Sequence, residues 1–188
     1  MTHRKILQLS NDILGEVQAS LKDVDPDSLD ALVDELEKAR KVFCLGAGRS
    51  GILLQAFCMR LNHLGFEAYM AGGLPCPPVG DGDLIVVASG SGKTRSVTAV
   101  LDQGRSAGAR VAIFTARRPT TRAMSTEVTI LIPAPSSLIN AGSTRSQQPM
   151  RTLFEQVFFL LCESVICCLK AKKGIGEAEM AERHANLE

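Results

Sequence analysis

The 188 residues include no tryptophan and a single tyrosine, and aromatics make up only 4% of the chain. A nucleic-acid surface interleaves basic side chains with rings. Here 21 Lys and Arg stand against 20 Asp and Glu, for a net charge of +1. Neither the rings nor the charge are present, so a nucleic-acid partner or an acidic membrane surface is not expected. Histidine is scarce too: His3, His63 and His184 are the full set, and no cluster has metal-ligand spacing. Cys44, Cys58, Cys76, Cys162, Cys167 and Cys168 form no Cys-x-x-Cys pair. They read as small core hydrophobes in a reducing compartment, and a metal site is not expected. The start, Met1-Thr2-His3-Arg4-Lys5-Ile6, carries charge without the long apolar stretch of a signal peptide. No run approaches the length of a membrane span. These absences together predict a cytoplasmic protein.

What remains is an ordinary globular composition, 45% hydrophobic and 22% charged, sufficient for one α/β domain over 1–188. Ile6, Leu9, Ile13, Leu14, Val17 and Leu21 mark an amphipathic N-terminal helix. Asp25-Pro26 reads as a cap and first helical position, and the second helix turns Leu29, Leu32, Val33 and Leu36 inward. These two helices fill 1–40. Over 41–132 the pattern alternates: strand 42–45, helix 50–64, strands 68–70 and 84–88, helix 94–107, strands 111–115 and 128–132. The strands are short and continuously apolar, as when helices cover both faces of a sheet. The expected fold is a doubly wound, mostly parallel sheet flanked by helices, a flavodoxin-like three-layer α/β domain. Residues 133–149 are the longest polar break, and a loop of this length is usually functional or mobile. After it runs a helix from Thr152 to about Leu169, apolar nearly all round. Such a helix is buried on more than one side, which in so small a chain predicts contact with another subunit. The tail 174–188 is polar.

Two loops carry chemistry. Ser89-Gly90-Ser91-Gly92-Lys93-Thr94 lies between the strand 84–88 and a helix. Glycines there let the backbone approach a ligand, the first-turn N–H groups lack intrahelical partners, and the helix dipole adds positive charge. Ser89, Ser91 and Thr94 add donors, and the anion this suits is a phosphate. The ending Gly-Lys-Thr is that of a nucleotide-triphosphatase loop, but the glycine required five residues before the Gly-Lys pair is Val87. The second loop, Gly46-Ala47-Gly48-Arg49-Ser50-Gly51, matches G-x-G-x-x-G. A dinucleotide site also needs an acid after the next strand, and the acid near that distance, Glu67, precedes it. Both loops follow strands, so both sit where open α/β sheets bind ligands. Glu155, among Leu153, Phe154 and Val157, opens the apolar helix. It is either a first-turn glutamate favoured by the helix dipole or a general base with a pKa raised by apolar neighbours. A phosphate crevice with one carboxylate suits proton transfer beside a sugar carbonyl.

These loops, with Met59-Arg-Leu-Asn-His-Leu-Gly-Phe66, Pro149-Met-Arg-Thr-Leu-Phe-Glu155 and Arg183-His-Ala-Asn-Leu-Glu188, resemble the SIS (sugar isomerase) domain family. Within it they are similar to the 6-phospho-3-hexuloisomerase branch. The resemblance implies interconversion of 3-hexulose 6-phosphate and fructose 6-phosphate, in the ribulose-monophosphate route of formaldehyde assimilation. It implies that Gly48, Ser50, Ser89, Ser91 and Thr94 hold the sugar phosphate and that Glu155 moves a proton between C2 and C3 through a cis-enediolate. No metal or organic cofactor is implied. Arg49 would contact the phosphate or offset enediolate charge, unless it is a plain surface arginine. His184 resembles a tail histidine that reaches a neighbouring subunit's site and would assist ring opening; otherwise it is a solvated tail residue. His63 is expected to pack within the fold. Members of this kind are typically tetramers. Lys93 and Arg151 depart from the family pattern, which has an acid and a glycine there, and both leave the sugar open. Another phosphosugar isomerase and a non-catalytic sugar-phosphate sensor are the alternatives.

Overall fold

A computed structural model describes residues 3–118, 126–135 and 146–187. The first helix, α1 (His3–Lys22), is followed by α2 (Pro26–Lys38), whose start is capped as expected: the Asp25 carboxylate accepts the Asp27 N–H at 3.2 Å. Then come β1 (Val42–Gly46), α3 (Gly48–His63), β2 (Ala68–Met70), β3 (Leu84–Ala88), α4 (Arg95–Ser106), β4 (Arg110–Thr115) and β5 (Val128–Leu131). The chain closes with α5 (Thr152–Lys173) and α6 (Glu177–Glu182). The five strands are all parallel, in the order β2-β1-β3-β4-β5.

Strand geometry sends alternate side chains to opposite faces. Val42, Cys44, Leu84, Val86, Ala112, Phe114 and Ile130 pack on one side, against α2, α3 and α5. Phe43, Leu45, Ile85, Val87, Val111 and Ile113 face the other, where Val97 and Leu101 of α4 cover them. Both faces are buried, so the strands read as unbroken apolar runs. Phe114 meets Phe158 edge-on at 4.9 Å, which locks α5 onto the sheet centre.

The structure differs from the sequence reading at several points. Helix α1 leaves Ile6, Leu7 and Leu14 exposed, and of its apolar positions only Val17 is buried. Helix α5 runs on through Lys170, Lys172 and Lys173 to a left-handed Gly174 cap. At 22 residues it is long and apolar enough, by length and composition, to cross a membrane, contrary to expectation, although half of that stretch is buried inside this fold. The tail contains the short α6. Cys44, Cys58 and Cys162 are buried as expected, whereas Cys76, Cys167 and Cys168 are exposed. Of the polar break, 136–145 lie outside the described residues.

The β1–α3 turn sets the position of the site. A Cβ on Gly51 would stand 2.8 Å from the Gly46 carbonyl oxygen, and one on Gly46 would meet Gly51 Cα at 3.1 Å. The outer glycines of the G-x-G-x-x-G stretch thus serve helix-to-strand contact, while Gly48, at φ +57°, takes the left-handed turn between them. Gly51→Ala should force α3 away from β1 and cost about 1–3 kcal/mol, read as a lower urea midpoint at unchanged m-value.

Candidate functional site

The strand order reverses between β1 and β3, and that is where a cavity of about 320 Å³ opens at their carboxyl ends. Ala47, Gly48, Arg49 and Ser50 form one side, and Ala88, Ser89, Gly90 and Thr94 the second. Pro149 to Thr152, with Phe154 and Glu155, form the third. Three helices therefore point their N-termini at one space. None has a side-chain cap: Ala47, Thr94 and Arg151 make no capping hydrogen bond at α3, α4 and α5. Free first-turn N–H groups and aligned dipoles make the space electropositive before any side chain is counted.

The second loop is rigidly placed. The Ser89 N–H donates to Phe114 O at 3.0 Å, and the Ala116 N–H to Gly90 O at 3.2 Å, extending the β3–β4 pairing into the loop. Ser89 is buried, with its Oγ 3.2 Å from Thr94 Oγ1. Thr94 makes no side-chain cap at α4, and both residues line the cavity. Gly90 admits the Phe154 ring: a Cβ there would lie 3.1 Å from it. Of the predicted phosphate ligands, Gly48, Arg49, Ser50, Ser89 and Thr94 line the cavity, and Ser91 does not. The Ser91 hydroxyl accepts the Lys93 N–H at 3.2 Å and closes its own turn. The two unusual cations also part: Arg151 lines the cavity, while Lys93 is exposed and outside its wall.

Glu155 stands on the first turn of α5 with its side chain 13% exposed, and its Oε2 accepts a hydrogen bond from Arg49 Nε. The Arg49 side chain is 67% exposed, so the ion pair bridges the cavity rim. The glutamate therefore has a cationic partner as well as apolar neighbours. Residues absent from the sequence-based site are Pro149, Met150, Thr152 and Phe154. Their signal was the abrupt passage from the polar break to an apolar helix.

His184 is elsewhere. Its ring lies 5.1 Å from that of His63, the last residue of α3, and Arg183 Nη1 donates to His63 O at 3.1 Å. Arg49 is the second residue of the same 16-residue helix, so the two ends are separated by roughly 20 Å at 1.5 Å per residue. Within one chain His184 does not meet Glu155. His63 is buried as expected, and burial, then the His184 ring, then Arg60 push its pKa below the ordinary imidazole value.

The chain is similar to proteins of known family along nearly all its length. The SIS domain model matches residues 35–160. A 3-hexulose-6-phosphate isomerase of Bacillus subtilis is 35% identical, over 94% of this chain and 96% of its own. One from Mycobacterium gastri is 38% identical, over 94% and 88%. A Methanococcus jannaschii protein, whose crystal structure was read as inferring a 3-hexulose-6-phosphate isomerase function, superposes with TM-score 0.79 at 29% identity, covering 98% of this chain and 99% of that one. With the family model spanning well over half of the chain and its fold reproduced strand for helix, this protein belongs to the SIS domain family.

Proposed function

We propose that this protein is a phosphosugar isomerase that interconverts D-arabino-3-hexulose 6-phosphate and fructose 6-phosphate. The observation that carries the reading is a carboxylate, Glu155, the one acid lining the cavity among the described residues, set opposite two uncapped helix N-termini. The phosphate would sit on the N–H groups at Gly48–Ser50 and at the start of α4, with the Ser50, Ser89 and Thr94 hydroxyls as further donors. The sugar would then extend toward Met150, Arg151 and Glu155.

From that position Glu155 takes the proton from C2 of the 3-ketose. The C2–H electron pair forms the C2=C3 bond and negative charge moves to O3. The glutamate returns the proton to C3, while the O2 proton passes to O3, leaving the ketone at C2. No atoms are gained or lost. A cis-enediolate keeps both carbons on one side of a single base. Arg49, paired with Glu155 at the rim, is placed to balance the charge that leaves the carboxylate for the sugar oxygen. The residues named call for neither a metal nor an organic cofactor in this step.

Arg151 supports a second reading, an isomerase for a different phosphosugar, because it adds a cation to the cavity wall beside Gly90. A sensor ranks lower, since the relatives named as isomerases cover the chain almost end to end. The apolar surface left on α1, on α3 (Ile52, Met59) and on α5 (Leu160) favours assembly, which we take to be a tetramer. Only another subunit could then bring His184 to Glu155. Exposed free thiols at Cys76, Cys167 and Cys168 favour a reducing cytoplasm. Upstream, the substrate would come from an aldol addition of formaldehyde to ribulose 5-phosphate.

The test is fructose 6-phosphate formation from formaldehyde and ribulose 5-phosphate, supplied through a separate synthase, with a chelator present. Turnover establishes the reading; its absence, with other sugar phosphates still raising Tm, shifts it to another sugar. Glu155→Gln should lower kcat by about 10³-fold while fructose 6-phosphate binding holds. Unchanged turnover would remove the glutamate from the reaction. Hybrids of Glu155→Gln with His184→Ala chains should regain activity over both parents if each site joins two subunits. Hybrids no more active than their parents would leave His184 without that role.

A further inference from the structure

Both ends of the 133–149 break are tied to α1. Ser20 Oγ donates to Pro133 O at 2.9 Å. One turn earlier on the same face of α1, Glu16 holds the other end. Its Oε1 accepts the Gln147 N–H at 2.9 Å, and its Oε2 accepts Ser146 Oγ at 2.5 Å and Gln148 Nε2 at 2.9 Å. Ser146 Oγ in turn accepts the Gln148 N–H at 3.0 Å, and the Gln148 side chain is buried. Burial pushes the Glu16 pKa up, but the donors from Ser146, Gln147 and Gln148 together outweigh it and hold it below the ordinary carboxylate range.

The next four residues, Pro149–Thr152, are the third wall of the cavity. Met150 has φ 60°, the left-handed conformation that a side chain with a Cβ disfavours by about 1–2 kcal/mol. Such a conformation persists only where its surroundings over-determine it. On the α5 side, the Thr152 hydroxyl donates to Pro149 O at 2.8 Å. On the other side the restraint is the Glu16 cluster. Glu16 itself does not line the cavity.

We propose that Glu16 is a positioning residue: through Ser146–Gln148 it holds Met150 and Arg151 at the set distance from the phosphate loops, so that the N-terminal helix fixes the wall against which the sugar lies. The inference rests on the isomerase reading above. It separates two functions of one cavity. Phosphate is held by α3 and α4, which Glu16 does not touch; the sugar end depends on α1.

Glu16→Gln keeps the side-chain length and turns one acceptor oxygen into a donor facing other donors. With fructose 6-phosphate as substrate, KM should rise about tenfold with a smaller change in kcat, as expected for a displaced contact wall. Inorganic phosphate should raise Tm equally in variant and wild type. In an Arg151→Ala background the Glu16→Gln effect on KM should fall below about twofold, because contacts that act as one unit are not additive. An unchanged KM, a KM effect independent of Arg151, or loss of the inorganic-phosphate shift would each overturn the proposal. If Glu16→Gln does not fold, Ser146→Ala removes one donor and is read the same way. If wild type turns over no fructose 6-phosphate, the isomerase reading fails separately. The proposal is then judged on the fructose 6-phosphate Tm shift, which Glu16→Gln should reduce and which, if equal to wild type, overturns it.

Discussion

Between β1 and β3 the chain leaves neighbouring strands for opposite edges and opposite faces of the sheet. Helix α3 crosses to the face shared with α2 and α5, and α4 to the face of Val97 and Leu101. The two connections diverge, so nothing from either one covers the carboxyl ends of these strands. A crevice follows from connectivity alone. Gly46 and Gly51 let α3 start directly on β1, which keeps its first N–H groups at the crevice instead of a side-chain width away. The third wall arrives from far along the chain, with α5 anchored by Phe154 over Gly90 and by Phe158 on Phe114.

Backbone as well as side chains sets the electrostatics of the crevice. Three helix starts supply partial positive charge with no capping oxygen to neutralise it. Thr94, a residue type that commonly caps, instead meets Ser89. Among the described residues, one carboxylate and two arginines line this field. Glu155 pairs with Arg49 at the start of its own helix, and the stem of Arg151 lies beside Gly90 of the second loop.

The amphipathic α1 has a narrower structural role than its apolar spacing suggests. Its first half buries little, and its second half ties down the segment that precedes the α5 wall. Ser20 and Glu16 are polar residues on the buried side of a helix, which an apolar count passes over. Their value lies in bonds to residues more than a hundred positions away.

Residue order alone was enough to establish the parallel α/β architecture, the strand limits to within a residue or two, and the two glycine-rich loops at the ends of β1 and β3. These depend on short-range rules: apolar runs of strand length, glycines at turns, caps such as Asp25. The apolar run from Thr152 also placed Glu155 in the first turn of its helix. Other features came only from the tertiary structure. Ser91 and Ser89 are equivalent in sequence, yet one closes a turn and the other lines the cavity, because the β3–β4 pairing extends just far enough to bury Ser89. Lys93 and Arg151 looked alike as added cations, and only Arg151 lines the cavity. Arg49 pairs with Glu155 across 106 positions of sequence, and His184 lies at the far end of α3 from it. Each of these depends on where distant segments meet, and that is set by packing of the whole sheet and its helices rather than by any local pattern of residues.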